Sequence, residues 1–165
     1  VREERVMLGK IESIEEVHGI GVGNHAKLNG DAGSRLGFSG MLSVLGGGRS
    51  MEGYKINTDG HEIVVLIDDQ SSCCESWGYF STEDNMSEFI GSNLLEVSLM
   101  DSESKAEVIN QKFGEYGLDS GGIQFVNFKT DKGDFQLAVY NAHNGYYGHG
   151  IIVAQDETIL CDDTL

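Results

Sequence analysis

A mainly β domain of the α+β class is what this sequence predicts: an antiparallel sheet, or a small β-sandwich or barrel of hairpins, with one or two short helices. Two observations predict it. Proline is absent while glycine reaches 23 copies in 165 residues, so turns must come from Gly, Asn and Asp, which tolerate positive φ. Those turn residues recur between short segments rich in Val, Ile, Tyr and Phe, the pattern of hairpins. The length suits a single domain over residues 1–165, since a chain of this size buries about 70% of its extended surface on folding.

Each element has its own reason. Met7–Val17 carries Ile11, Ile14 and Val17 and reads as a first strand. Tyr54–Asn57 and Glu62–Asp68 flank Thr58-Asp59-Gly60, an Asp-Gly turn that favours a hairpin. Asn85-x-x-Glu88 resembles a one-turn capping box stopped by Gly91. Leu94–Met100 alternates loosely around Val97 and Leu99. Ser104-x-x-Glu107 caps the longest predicted helix, with Ile109, Phe113 and Tyr116 on one stripe and Gly117 as its stop. Ile123–Lys129 and Asp134–Asn141 form a second hairpin about Thr130-Asp131-Lys132-Gly133. His149–Ala154 is expected to pair back on the strand before it. The two hairpins are followed by Trp77-Gly-Tyr79 and by Gly145-Tyr-Tyr147, and together they read as a degenerate internal repeat.

Residues 19–50 differ in character and read as a glycine-rich insertion. Gly19-Ile-Gly-Val-Gly23 lacks the spacing of a dinucleotide loop, and no Gly-Lys-Ser/Thr follows, which argues against phosphate binding. The segment carries Leu28, Leu36, Phe38, Met41, Leu42, Val44 and Leu45, which need something to bury them. The chain also has no proline to blunt its sheet edges. A homo-oligomer answers both needs, and that is the expected state.

The formal net charge is −16, and eleven Asp and Glu residues separate Lys55 from Lys105 with no Lys or Arg between. Such a field repels nucleic acid and anionic membranes. It suits a basic protein partner, a metal cation or plain solubility. Where acidity serves recognition, the carboxylates from Asp59 to Glu103 are expected on one face. Three cysteines, two of them adjacent, fit a reduced cytoplasmic protein better than a disulfide scaffold. No 18-residue apolar run or leader is present, so no membrane partner is expected.

Two blocks concentrate the chemistry: Cys73-Cys-Glu-Ser-Trp-Gly-Tyr79 and His143-Asn-Gly-Tyr-Tyr-Gly-His149. A five-residue connection would set His143 and His149 opposite each other across a hairpin. Facing imidazoles can share Zn²⁺, with Cys73, Cys74 and Glu75 completing the ligands. Against this, successive strand side chains point to opposite faces, so Cys-Cys makes a poor zinc fork. The plainer expectation is histidines that hydrogen-bond at the turn, with no cofactor. Trp77, Tyr79, Tyr146 and Tyr147, together with Phe80, would pack as core or interface or line a small-ligand cleft. No nucleophile elbow or comparable signature is present, which leaves a hydrolase as the third reading.

Asp69-Gln-Ser-Ser-Cys-Cys-Glu75, Phe89-Ile-Gly91, Phe128-Lys-Thr-Asp-Lys-Gly133 and Asn144-Gly-Tyr-Tyr147 carry a resemblance. Over residues 54–154 the chain resembles an uncharacterised domain family of phages and bacteria with a Cys-Cys-Glu block and a C-terminal Asn-Gly-Tyr-Tyr. The resemblance implies that Cys73, Cys74, Glu75, Asn144, Gly145, Tyr146 and Tyr147 are the family's pattern residues, and it implies no activity. The glycine-rich segment departs from that pattern. The expected function is therefore non-catalytic: an acidic binding protein, accessory cargo of a phage or other mobile element, that engages a basic protein. The alternative is a small-ligand or metal-binding module built on the aromatic and His/Cys region.

Overall fold

The computed structural model describes residues 7–22, 49–70, 76–100, 122–142 and 148–165. Strands hold 73% of them. The nine are β1 (Gly9–Val22), β2 (Arg49–Thr58), β3 (Glu62–Asp68), β4 (Trp77–Ser81), β5 (Asn93–Met100), β6 (Gly122–Thr130), β7 (Gly133–Asn141), β8 (Gly150–Gln155) and β9 (Thr158–Thr164). They form one antiparallel sheet in the order β4-β7-β6-β5-β1-β2-β3-β8-β9.

That sheet doubles over. Tyr54 on β2 and Tyr79 on β4 stand five strands apart, about 24 Å on a flat sheet at the usual strand spacing. Their ring centroids are 5.1 Å apart. The fold-over lies at β1 and β5, which pair through Gly9↔Leu94 and Lys10↔Asn93. The facing halves enclose one core, with Tyr54, Ile56, Ile63, Val65 and Ile67 from one and Val126, Phe128, Phe135, Leu137 and Val139 from the other. Alternation sends Val64 and Leu66 outward, where they are buried again beside Met51, Ile152 and Ala154. Burial on both faces is why β3 reads as the unbroken apolar run Ile63–Ile67.

The two halves are related by a pseudo-twofold. β1-β2-β3 and β5-β6-β7 are matching three-strand units. Each sends its fourth strand across, so β4 pairs with β7 while β8 pairs with β3. Registers match as well. Ile56 opposes Ile63 as Phe128 opposes Phe135. A bulge falls between Ile11 and Ser13 in β1 and between Leu94 and Glu96 in β5. The hairpin turns dock alike on the crossing point: Asp59 Oδ1 accepts from Lys10 N–H at 3.1 Å, and Asp131 Oδ1 from Asn93 N–H at 3.0 Å. At the other end Trp77 and His149, which occupy equivalent positions, stack on each other with centroids 5.1 Å apart. The repeat read in the sequence is therefore present in the topology. Its register matches Trp77-Gly-Tyr79 with His149-Gly-Ile151, where the sequence suggested Gly145–Tyr147.

Both predicted hairpins form, at Asp59-Gly60 and at Asp131–Gly133. Other expectations need correction. β8 does not return to β7, because the connection 142–149 crosses to the facing half and lays β8 between β3 and β9. Asn85 makes no side-chain cap to the backbone, and Met86–Phe89 is a single 3-10 turn. Its Oδ1 instead accepts from Ser87 Oγ. Strands extend into both edges of the glycine-rich segment, through Val22 and from Arg49. Residues 23–48 and the predicted helix at Ser104–Tyr116 lie outside the described residues, as do the apolar side chains read as an oligomer contact.

Candidate functional site

The connections divide by end. Tight turns join β2 to β3, β6 to β7 and β8 to β9 at one end of the fold, where the connection 82–92 with its 3-10 turn also lies. The connections 23–48, 69–76, 101–121 and 142–149 all leave from the other. Binding residues concentrate where long connections leave a rigid scaffold.

A polar cluster sits on the inner face toward that end. Val17 pairs with Gly53 and Ile20 with Met51, so His18 and Gly19 together oppose the single residue Glu52. This bulge, with Gly19 at φ 60°, re-aims the His18 side chain. His18 Nε2 lies 3.7 Å from Glu16 Oε2, and its Nδ1 lies 3.6 Å from Glu52 Oε2. Tyr79 O–H donates to Glu16 Oε2 at 3.5 Å and lies 3.4 Å from His18 Nδ1. Beneath them the ring of Tyr54 meets Tyr79 edge-on and is 5% exposed.

Electrostatics follow from this crowding. Burial, then the charges of Glu52 and Glu16, push the Tyr79 phenol up to about 12. Burial, then Glu16, drives Tyr54 higher still. Both stay protonated donors at neutral pH. The two nitrogens of His18 face two different carboxylates, so the three side chains do not converge on one point. Among the described residues no His, Cys, Asp and Glu group has metal-binding geometry.

Of the residues singled out by sequence, Trp77, Tyr79 and His149 come to this end. His149 is buried at 2% exposure, stacks on Trp77 and donates Nδ1–H to the Asp68 carbonyl at 2.8 Å. Cys73, Cys74, Glu75, His143, Tyr146 and Tyr147 lie outside the described residues. The hairpin that was to oppose His143 and His149 is not formed, since β7 and β8 belong to different halves. Sequence reasoning missed Glu16, His18, Glu52 and Tyr54. The available signal was His18-Gly19 inside a strand, which marks a bulge.

The described carboxylates of the acidic run are divided between the two ends of the sheet. Asp59 and Glu62 stand at the tight-turn end with Glu83, Asp84 and Glu88, whereas Asp68 and Asp69 stand at the other. No helix among the described residues is long and apolar enough to cross a membrane.

No curated protein matches the chain. No solved structure matches it either. The family defined as a domain of unknown function, DUF7448, matches residues 6–153. That span reaches upstream of the 54–154 resemblance and takes in both four-strand units up to the last residues of β8, leaving β9 outside. The chain belongs to the DUF7448 family.

Proposed function

We propose that this domain is a non-catalytic binding module that holds a basic segment of a protein partner at the end of the sheet where the long connections leave. One observation carries the reading. Glu16, Glu52, Tyr54 and Tyr79 occupy the positions that the pseudo-twofold gives to Leu99, Gln124, Val126 and Ile151 in the other half. The fold accepts uncharged and mostly apolar residues there, so packing does not demand two carboxylates and two phenols. Partial burial of charge is costly, and a cationic partner would offset it. The same proposal includes a cytoplasmic setting, carriage by a phage or other mobile element, and a homo-oligomer. What supports the last is that β4 and β9 are edge strands of the sheet among the described residues.

The test is a titration of the full chain with a Lys/Arg-rich peptide and with a Glu-rich control at low and high salt. The basic peptide should bind, and its affinity should fall as salt rises, because exposed charges are screened over about 8 Å at physiological ionic strength. Glu16→Gln with Glu52→Gln should weaken it. Absence of binding at low salt ends the reading.

A further inference from the structure

Resting on that reading, we infer that Glu16, Glu52 and Tyr79 form a receptor for one planar guanidinium, an arginine side chain of the partner, and that His18 is the group it displaces. His18 already shows what the site takes. Its flat ring presents one nitrogen to Glu16 at 3.7 Å and the other to Glu52 at 3.6 Å, and it lies 6.3 Å from the Tyr79 ring at 53°. A guanidinium offers the same shape with more donors. It is planar, directs N–H groups at two carboxylates and packs against an aromatic ring. An ammonium is a compact point charge and reproduces neither the plane nor the paired donors.

A second, independent observation points to the same ligand. Tyr54 is 5% exposed as a residue, its hydroxyl makes no hydrogen bond to a described residue, and the hydroxyl oxygen is not sealed from solvent. The Tyr54 ring meets the Tyr79 ring edge-on with centroids 5.1 Å apart, so this phenol lies beside the cluster. A guanidinium held by the two carboxylates retains N–H groups that the Tyr54 oxygen can accept. His18 can vacate the place. Its side chain is 62% exposed.

The experiment is an NMR titration of the full chain, following the His18 and Tyr79 ring signals. The probes are acetyl-Gly-Arg-Gly-amide and acetyl-Gly-Lys-Gly-amide. The arginine peptide should shift both rings saturably and bind about 10-fold more tightly than the lysine peptide. His18→Ala should raise arginine affinity several-fold by removing the resident group. Glu52→Gln should lower it about 10-fold, and Tyr54→Phe should lower it by less. Equal affinities for the two peptides, or weaker binding by His18→Ala, overturn the receptor. If long Lys-rich and Arg-rich peptides bind equally, and this binding survives Glu16→Gln with Glu52→Gln, the receptor falls while the basic-partner reading stands. Failure of every basic peptide removes both.

Discussion

The half built on β2 and β3 and the half built on β6 and β7 share a backbone plan and differ in what they place on it. At the centre of the core the two are interchangeable in character: Ile63 and Phe135 are both fully buried, as are Val65 and Leu137. Toward the end with the long connections they part. One half carries Glu16, Glu52, Tyr54 and Tyr79, and the other carries Leu99, Gln124, Val126 and Ile151 at the matching positions. The backbone departs there too. Gly53, between Glu52 and Tyr54, has φ 154° and approaches Val65 so closely that a Cβ would stand 2.1 Å from its carbonyl oxygen. Its counterpart Phe125 carries a full side chain. A duplicated scaffold thus keeps its packing centre and spends its divergence at one site.

The largest test of this comparison is in the core. Phe135 packs on Phe128 at 4.9 Å and on Phe89 at 4.7 Å. Phe135→Ala should cost about 4 kcal/mol and Ile63→Ala about 3 kcal/mol in urea unfolding. Each should act on one cooperative transition. Two separable transitions would mean that the halves do not share a core.

Gly53→Ala should cost about 3 kcal/mol, because both the backbone angle and the space oppose a side chain. A melting temperature equal to that of the unaltered chain would show that the departure from twofold symmetry at Gly53 is not built into the fold.

Alkaline titration separates the halves by charge. Tyr79 should ionise at about 12, and Glu16→Gln with Glu52→Gln should bring it down toward the ordinary value near 10. The folded value lies above the unfolded one. The stability this group contributes is therefore intact below pH 10 and is lost as pH rises through about 12. A Tyr79 midpoint unmoved by the double substitution would detach the carboxylates from the phenol.

The smallest expected effect on stability is also the sharpest for function. Glu16→Leu installs the residue that the other half already uses. Stability should change by no more than about 0.5 kcal/mol, while binding of a basic peptide should fall. A large loss of stability would mean that Glu16 serves the fold.

Local chemistry made much of this readable. Thr58-Asp59-Gly60 and Thr130–Gly133 announce their hairpins because Asp and Gly supply the turn and the flanking residues have the strand period. β3 is visible as Ile63–Ile67 and spans Glu62–Asp68 as expected. Two strands escaped. β4 is five residues long and holds Gly78, a poor strand former. β9 runs through Asp162 and Asp163, residues disfavoured in strands.

Which strands pair, and what their pairing brings together, was decided by tertiary structure. β8 looks like the return arm of β7, yet it is laid on β3, because no local pattern states that a connection crosses between facing halves. The candidate site has the same origin. Tyr79 was legible as one of an aromatic group. Glu16, His18 and Glu52 carry no local mark of a site and meet Tyr79 only because the doubled sheet carries β4 over β1 and β2. Turn chemistry and side-chain alternation act over a few residues, so the sequence alone determined the class, the hairpins and the core faces. Meeting across the fold depends on burying two apolar faces against each other, a non-directional force that gives no local mark in the chain.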